Sequence, residues 1–113
     1  MFSRDRILGI TTAIFQAQVR ENRIALFELG EKERAREWTA RSLTIDPDDL
    51  VAQYNAACSY SRLGDIDTAL DLLEKCLPNL GHEKVNWAKY DSELDPLRRH
   101  PRYLKLFERI DKG

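Results

Sequence analysis

Laid over itself with an offset of 34 residues, the sequence repeats its own structural signals: Gly30 falls on Gly64, Leu29 on Leu63, Ala35 on Ala69 and Leu43 on Leu77. A fixed period of a few tens of residues marks a chain built from one small unit stacked on copies of itself. Within each copy an apolar run at helical spacing ends in Leu-Gly, an acidic residue follows, and a second amphipathic run begins. The unit is a helix, a turn and a helix. Glycine after the last apolar residue supplies the left-handed backbone that ends a helix, with no Cβ penalty. Alanine where two helices cross lets their backbones approach. In Asp46-Pro47-Asp48 the proline cannot continue the preceding helix and biases its predecessor toward extended backbone, leaving Asp48 or Asp49 to cap the next helix.

The stretches FELGEKERAREWTARSLTIDPDD and QYNAACSYSRLGDIDTALDLLEKCLP resemble two consecutive tetratricopeptide repeats. Gly30 and Gly64 match the family's turn glycine, Ala35 and Ala69 the small residue early in the second helix, and Leu26 and Tyr60 the large apolar place late in the first. Ser42 and Cys76 take the late small site, and Pro47 closes the repeat. Two positions depart: Gly81 stands where a closing proline belongs, and Arg23 replaces the small residue that is Ala57 in the second copy. The resemblance implies an all-α fold, a short α-solenoid of two helix-turn-helix repeats with an N-terminal helical extension and a C-terminal capping helix. As one domain over 1–113 it divides into an extension (1–19), repeat one (20–47), repeat two (48–81), and a partial third repeat with the capping helix (82–113).

Along the chain, Ser3 is placed to cap a helix with Asp5 in its first turn, followed at helical spacing by Ile7, Ile10, Ile14 and Ala17. Residues 4–29 read as one long helix or as two broken near Gly9 or Thr12. Further helices are expected over 31–44, with Ala35, Trp38 and Leu43 inward, then over 49–62, and over 65–77, with Leu70, Leu72, Leu73 and Leu77 inward. A curtailed helix over 82–90 carries Trp87. Pro96 and Pro101 then interrupt the chain, and Pro101 opens a terminal helix to about Ile110 with Tyr103, Leu104, Leu106, Phe107 and Ile110 as its stripe. Two repeats fall short of the roughly three a solenoid needs. The N-terminal segment and residues 95–111 are therefore expected to cover the ends, or self-association does. Trp38, Trp87, Tyr90 and Phe107 are read first as core or cap residues.

Several function classes find no support. The formal net charge is -1, which gives no global drive toward nucleic acid or an anionic membrane. Residues 48–96 carry four Lys/Arg against ten Asp/Glu, and 97–113 carry six against two. This split reads as a solvated acidic face and as cations suited to the C-terminal end of the last helix. Arg98, Arg99, Arg102, Lys105 and Arg109 lack interleaved exposed aromatics, so nucleic-acid binding through the basic C-terminal helix is a remote alternative. Cys58 and Cys76 read as small buried hydrophobes in a reducing cytoplasm. His82 and His100 have no zinc-ligand spacing, and no metal, cofactor or catalytic set is expected; Asp65 and Asp67 are helix-start residues. Arg4 and Arg6 before ILGITTAIF suggest a short export signal, but the two threonines, Gln16, Gln18 and the missing cleavage pattern oppose it. No apolar run reaches the length of a membrane span.

For function, the resemblance implies a partner protein or peptide held on the concave face of the first helices. By register that face takes Ala17, Arg20, Ile24, Phe27 and Glu28 from repeat one, and Val51, Tyr54, Asn55, Cys58, Ser61 and Arg62 from repeat two. Apolar anchors, two cations and an amide suit an extended or helical peptide with an acidic contact. Equally, the long N-terminal helix or a second protomer fills the groove, making the chain a self-association module or homodimer. Arg20 and Asn55 occupy positions like those of the carboxylate clamp of chaperone-binding repeats, but Ile24 stands where that clamp needs asparagine. The ending DSELDPLRRHPRY is similar to C-terminal repeat segments of bacterial adenylate or guanylate cyclase-like and kinase-like multidomain proteins. That makes a regulatory tail another reading, with nothing catalytic carried over.

Overall fold

The computed structural model describes residues 17–112. The expected cap at Ser3, the helical positions Asp5, Ile7, Ile10 and Ile14, the break near Gly9 or Thr12 and the stretch ILGITTAIF lie outside them. Six α-helices follow in order: α1 over residues 17–28, α2 (Lys32–Ile45), α3 (Leu50–Leu63), α4 (Ile66–Cys76), α5 (His82–Ala88) and α6 (Pro101–Lys112). Two 3-10 segments, Leu77–Asn79 and Ser92–Leu97, join them. The described residues contain no strand. The architecture is the all-α helical-repeat arrangement the period predicts.

The two glycine turns are copies of each other. Gly30 and Gly64 have φ of 78° and 86°, where a side chain would be strained. In the first turn Gly30 N donates to Phe27 O (3.0 Å) and Glu31 N to Leu26 O (2.9 Å); in the second, Gly64 N donates to Ser61 O (3.2 Å) and Asp65 N to Tyr60 O (2.9 Å). These bonds satisfy carbonyls that a helix end leaves open. Between the repeats, Asp49 N donates to Asp46 O (3.2 Å) across the Pro47 turn, and the Asp49 carboxylate accepts from Ala52 N (2.9 Å). Asp49, and not Asp48, is therefore the cap. Asp65 holds the cap position of α4, but its carboxylate accepts from Arg36 of α2 and makes no bond to its own helix.

α3 is buried along nearly its whole circumference, with Ala52 to Ser59 all inside, because α2, α4 and the Ser92–Leu97 segment all pack on it. Its residues are small enough to allow this: Ala52, Ala56, Ala57, Cys58, Ser59 and Ser61. α2 likewise buries only Ala35, Thr39 and Ser42, and the two hydroxyls bond back to Ala35 O and Thr39 O at 2.8 Å. Trp38 and Leu43 lie half-buried. The main core gathers Ala69, Leu70, Leu73, Cys76 and Leu77 of the α4 region, Val85 and Ala88 of α5, Leu94 and Leu97 of the 3-10 segment, and Tyr103, Leu106 and Phe107 of α6. The C-terminal segment thus covers the apolar end of the repeat pair, as a solenoid requires.

Three expectations are corrected. Leu104 is 56% exposed, since the inward stripe of α6 is Tyr103, Leu106, Phe107 and Ile110, and position 104 lies one residue off it. Tyr90 is not a core residue but 85% exposed, because α5 ends at Ala88 and turns before reaching it. Finally, Arg98 and Arg102 do not serve a helix C-terminus. Arg102, in the first turn of α6, donates to Glu74 and Asp71 of α4 (both 2.6 Å), clamping that acidic stripe, while Arg98 donates to Asp95, to Tyr103 Oη and to the Asp91 carbonyl.

Candidate functional site

Between α1, α3 and the Ser92–Leu97 segment, the described residues bring a cluster of polar side chains together. Arg23, placed by the register at a helix-crossing site that calls for a small side chain, is 1% exposed. It survives there because its guanidinium forks onto Glu93: Nη1 donates to Oε2, and Nη2 to Oε1 at 3.3 Å. Glu93 sits in the Ser92–Leu97 segment, which lies along α3. Around it, Ser61 Oγ donates to Glu93 O (2.8 Å), Tyr54 Oη donates to Asp91 Oδ2 (2.6 Å) and Glu93 N donates to Asp91 Oδ1 (3.1 Å). Leu94 and Leu97 drop into the core on the same segment. Arg20 Nη2 and Arg62 Nη1 flank the Glu93 carboxylate at 3.8 and 3.9 Å. The Arg20 guanidinium lies over the Trp87 ring at 4.5 Å, and that of Arg62 over Phe27 at 4.4 Å.

Burial acts on the titratable groups here. It raises the Tyr54 phenol far above its ordinary value, with Cys58 and the Asp91 carboxylate acting the same way. It likewise raises the Cys58 thiol, reinforced by the Glu93 and Asp91 carboxylates, and pushes Cys76 up to about 12. Cys58, Asp91 and Glu93 bring ligand-type atoms within 4.8 Å of one another. The two carboxylates are already engaged, by the Arg23 guanidinium and the Tyr54 hydroxyl, and the thiol is held protonated. The cluster is an ion-paired anchor and not a cation site.

Beside this anchor the surface is indented among the described residues. A cleft of about 610 Å³ is lined by Ala17, Arg20, Glu21, Ile24, Asp49, Val51, Tyr54, Asn55, Leu80, Lys84 and Trp87. Of the residues expected on the concave face, Ala17, Arg20, Ile24, Val51, Tyr54 and Asn55 line this cleft. Phe27 and Arg62 stack on each other farther along. Glu28 is exposed near the end of α1 and outside the lining. Cys58 and Ser61 are buried at 1% and face the Asp91–Glu93 segment; they are not open to a partner. The reason is steric: the chain's own residues 91–97 cover the part of α3 where the register places Cys58 and Ser61. Arg23, Glu93, Glu21, Leu80 and Lys84 were not anticipated. The one signal was Arg23 itself, a charged residue at a small-residue position.

No described helix is long and apolar enough to cross a membrane. Residues 50–77, which are α3, the glycine turn, α4 and Leu77, match the tetratricopeptide repeat family. A curated relative, a chloroplastic protein of Arabidopsis thaliana, is 34% identical over 63 residues, which is 56% of this chain and 18% of that protein. The chain therefore spans under a fifth of that relative's length. No solved structure matches it. The sequence match and the geometry agree on the central helix pair: α3 with α4 is similar to a tetratricopeptide repeat.

Proposed function

We propose that the chain is a protein-interaction module that seats a short segment of a partner protein in the cleft between α1, α3 and α5. The observation that carries this reading is the cleft itself: Ile24, Val51, Tyr54, Leu80 and Trp87 give it apolar walls, Asn55, Arg20 and Lys84 give it polar contacts, and the volume of about 610 Å³ suits one or two anchoring side chains. Tetratricopeptide repeats generally mediate protein–protein contacts, and the cationic C-terminal helix offers nucleic acid little, with Arg98 and Arg102 spent on internal partners. The test is selection of random short peptides displayed on phage against the wild-type chain, followed by binding to Val51→Asp and Trp87→Ala. Both positions are 39% exposed, so helicity by circular dichroism should be retained. Loss of about tenfold or more in affinity, some 1.4 kcal/mol, is expected from either variant. Unchanged binding would move the site off this face.

A further inference from the structure

The connection from α4 to α5 borders two hollows. One is the cleft already described; the other, of about 400 Å³, is lined by buried Leu77 and Val85 and half-buried Ile110, with exposed His82 and Arg109 at its rim. Half-buried Leu80 belongs to the lining of both, so the two are neighbours across that side chain. Gly81 lines the second hollow and leaves it open. Its φ of -57° is one that any residue adopts, proline included, and a Cβ added there meets nothing within 4 Å. Neither backbone nor crowding demands glycine, at a position where the repeat register calls for proline. A side chain at 81 would stand in the hollow. Among the described residues, the lining holds no carboxylate. Glu74 is taken by Arg102, Glu108 by Lys112 and Asp111 by Lys89, while Glu83 lies outside the lining.

We propose that the partner segment seated in the cleft runs on over Leu80 and places a second aliphatic side chain in the hollow beside Gly81. This rests on the cleft being the docking surface and adds the pattern of what docks there: an extended segment with two aliphatic anchors. One side chain separates the two hollows, so roughly three residues of extended chain, at about 3.3 Å each, join the anchors. The first anchor meets Ile24 and Val51, the second Leu77, Val85 and Ile110. Arg109 and His82 at the rim, with no carboxylate in the lining, select against a basic residue next to the second anchor. Glycine at 81 has a use on this reading, since it keeps the second hollow vacant.

The experiment titrates three synthetic peptides of serine and glycine into the full chain while its methyl signals are followed by NMR: one carries a single leucine, one two leucines three residues apart, and one the same pair with lysine beside the second. The two-leucine peptide should shift Ile24 and Val51 together with Leu77, Val85 and Ile110, and bind at least about tenfold more tightly than the single-leucine peptide. The lysine peptide should bind several-fold more weakly, a difference that Arg109→Gln reduces. Gly81→Phe, which fills the hollow without straining the backbone, should bring the two-leucine peptide down to the affinity of the single-leucine one, while Gly81→Ala keeps most of the advantage. Shifts confined to either set of methyls, equal affinities, or an advantage that survives Gly81→Phe overturn the inference. If Val51→Asp still weakens binding in those cases, the cleft stands as a docking site without the second anchor. If no peptide binds, the inference falls, and the phage selection decides separately whether the docking reading falls with it.

Discussion

Glu93→Gln is the sharpest perturbation available, because it removes the carboxylate shared by a group of three cations without changing the shape of the side chain. Glu93 is 9% exposed and Arg23 1%, so the pair belongs to the buried class, in which removing one partner costs about 3–5 kcal/mol. The glutamine carbonyl can still accept one hydrogen bond from Arg23, which puts the expected loss near the bottom of that range, about 3 kcal/mol. The reciprocal change should cost less. Arg23→Met keeps the stem packed, and the carboxylate it leaves still has Arg20 and Arg62 at 3.8 and 3.9 Å, close enough to move into hydrogen-bonding contact. About 1–2 kcal/mol is expected for it, and less than the sum for the double variant, with coupling of about 1–3 kcal/mol. Urea unfolding followed by circular dichroism at neutral pH measures all three against a total stability of order 5–15 kcal/mol, with constant slope confirming a common unfolded state. If Arg23→Met proved costlier than Glu93→Gln, or if Glu93→Gln cost under about 1 kcal/mol, the picture of one carboxylate serving three guanidiniums would be wrong.

Other consequences can be checked with the same methods. Gly30→Ala and Gly64→Ala should each cost about 1–2 kcal/mol and by equal amounts, since an added Cβ meets nothing within 4 Å at either and only the left-handed backbone is penalised; a marked inequality in urea midpoints would count against the equivalence of the two turns. Ala69→Leu, at a fully buried position, should overpack the α3–α4 crossing by about 1–3 kcal/mol, and an unchanged melting temperature would deny that crossing its tightness. The Arg102 guanidinium bonded to Glu74 holds that carboxyl below its ordinary value. A depressed carboxylate contributes stability that is present above the unfolded value of about 4.3 and lost as pH falls through the folded one. Arg102→Gln should therefore move the Glu74 titration midpoint upward, as read by carbon-detected NMR of its carboxyl; an unmoved midpoint would remove Arg102 as the cause.

The repeat was legible because its signals are local. Glycine at 30 and 64, alanine at 35 and 69, and the Asp-Pro-Asp break each encode backbone geometry within a few residues, and α2, α3 and α4 fall within one residue of the expected bounds. The terminal helix was equally legible from Pro101 and its stripe. Arg23 and Glu93 were not, because 70 residues separate them and the contact depends on where a six-residue 3-10 segment lies after the turn beyond α5 has redirected the chain. Periodicity says nothing about such a segment. For the same reason the register placed Cys58 and Ser61 on an open face: it describes an infinite stack of repeats, whereas here the chain folds back before a full third repeat and covers that part of α3 with its own residues 91–97.

The departure at position 23 and the unexpected filling are one device. An alanine at 23 facing a leucine at 93 would seal α1 to the returning segment with no desolvation cost, and replacing buried ion pairs by apolar contacts is often neutral or stabilising. Stability alone therefore gives little reason for Arg23 and Glu93, and still less for Arg20 and Arg62, which a single carboxylate does not require. The anchor has a different physical consequence: it sets two half-exposed guanidiniums on the Trp87 and Phe27 rings, the first of them at the edge of the cleft.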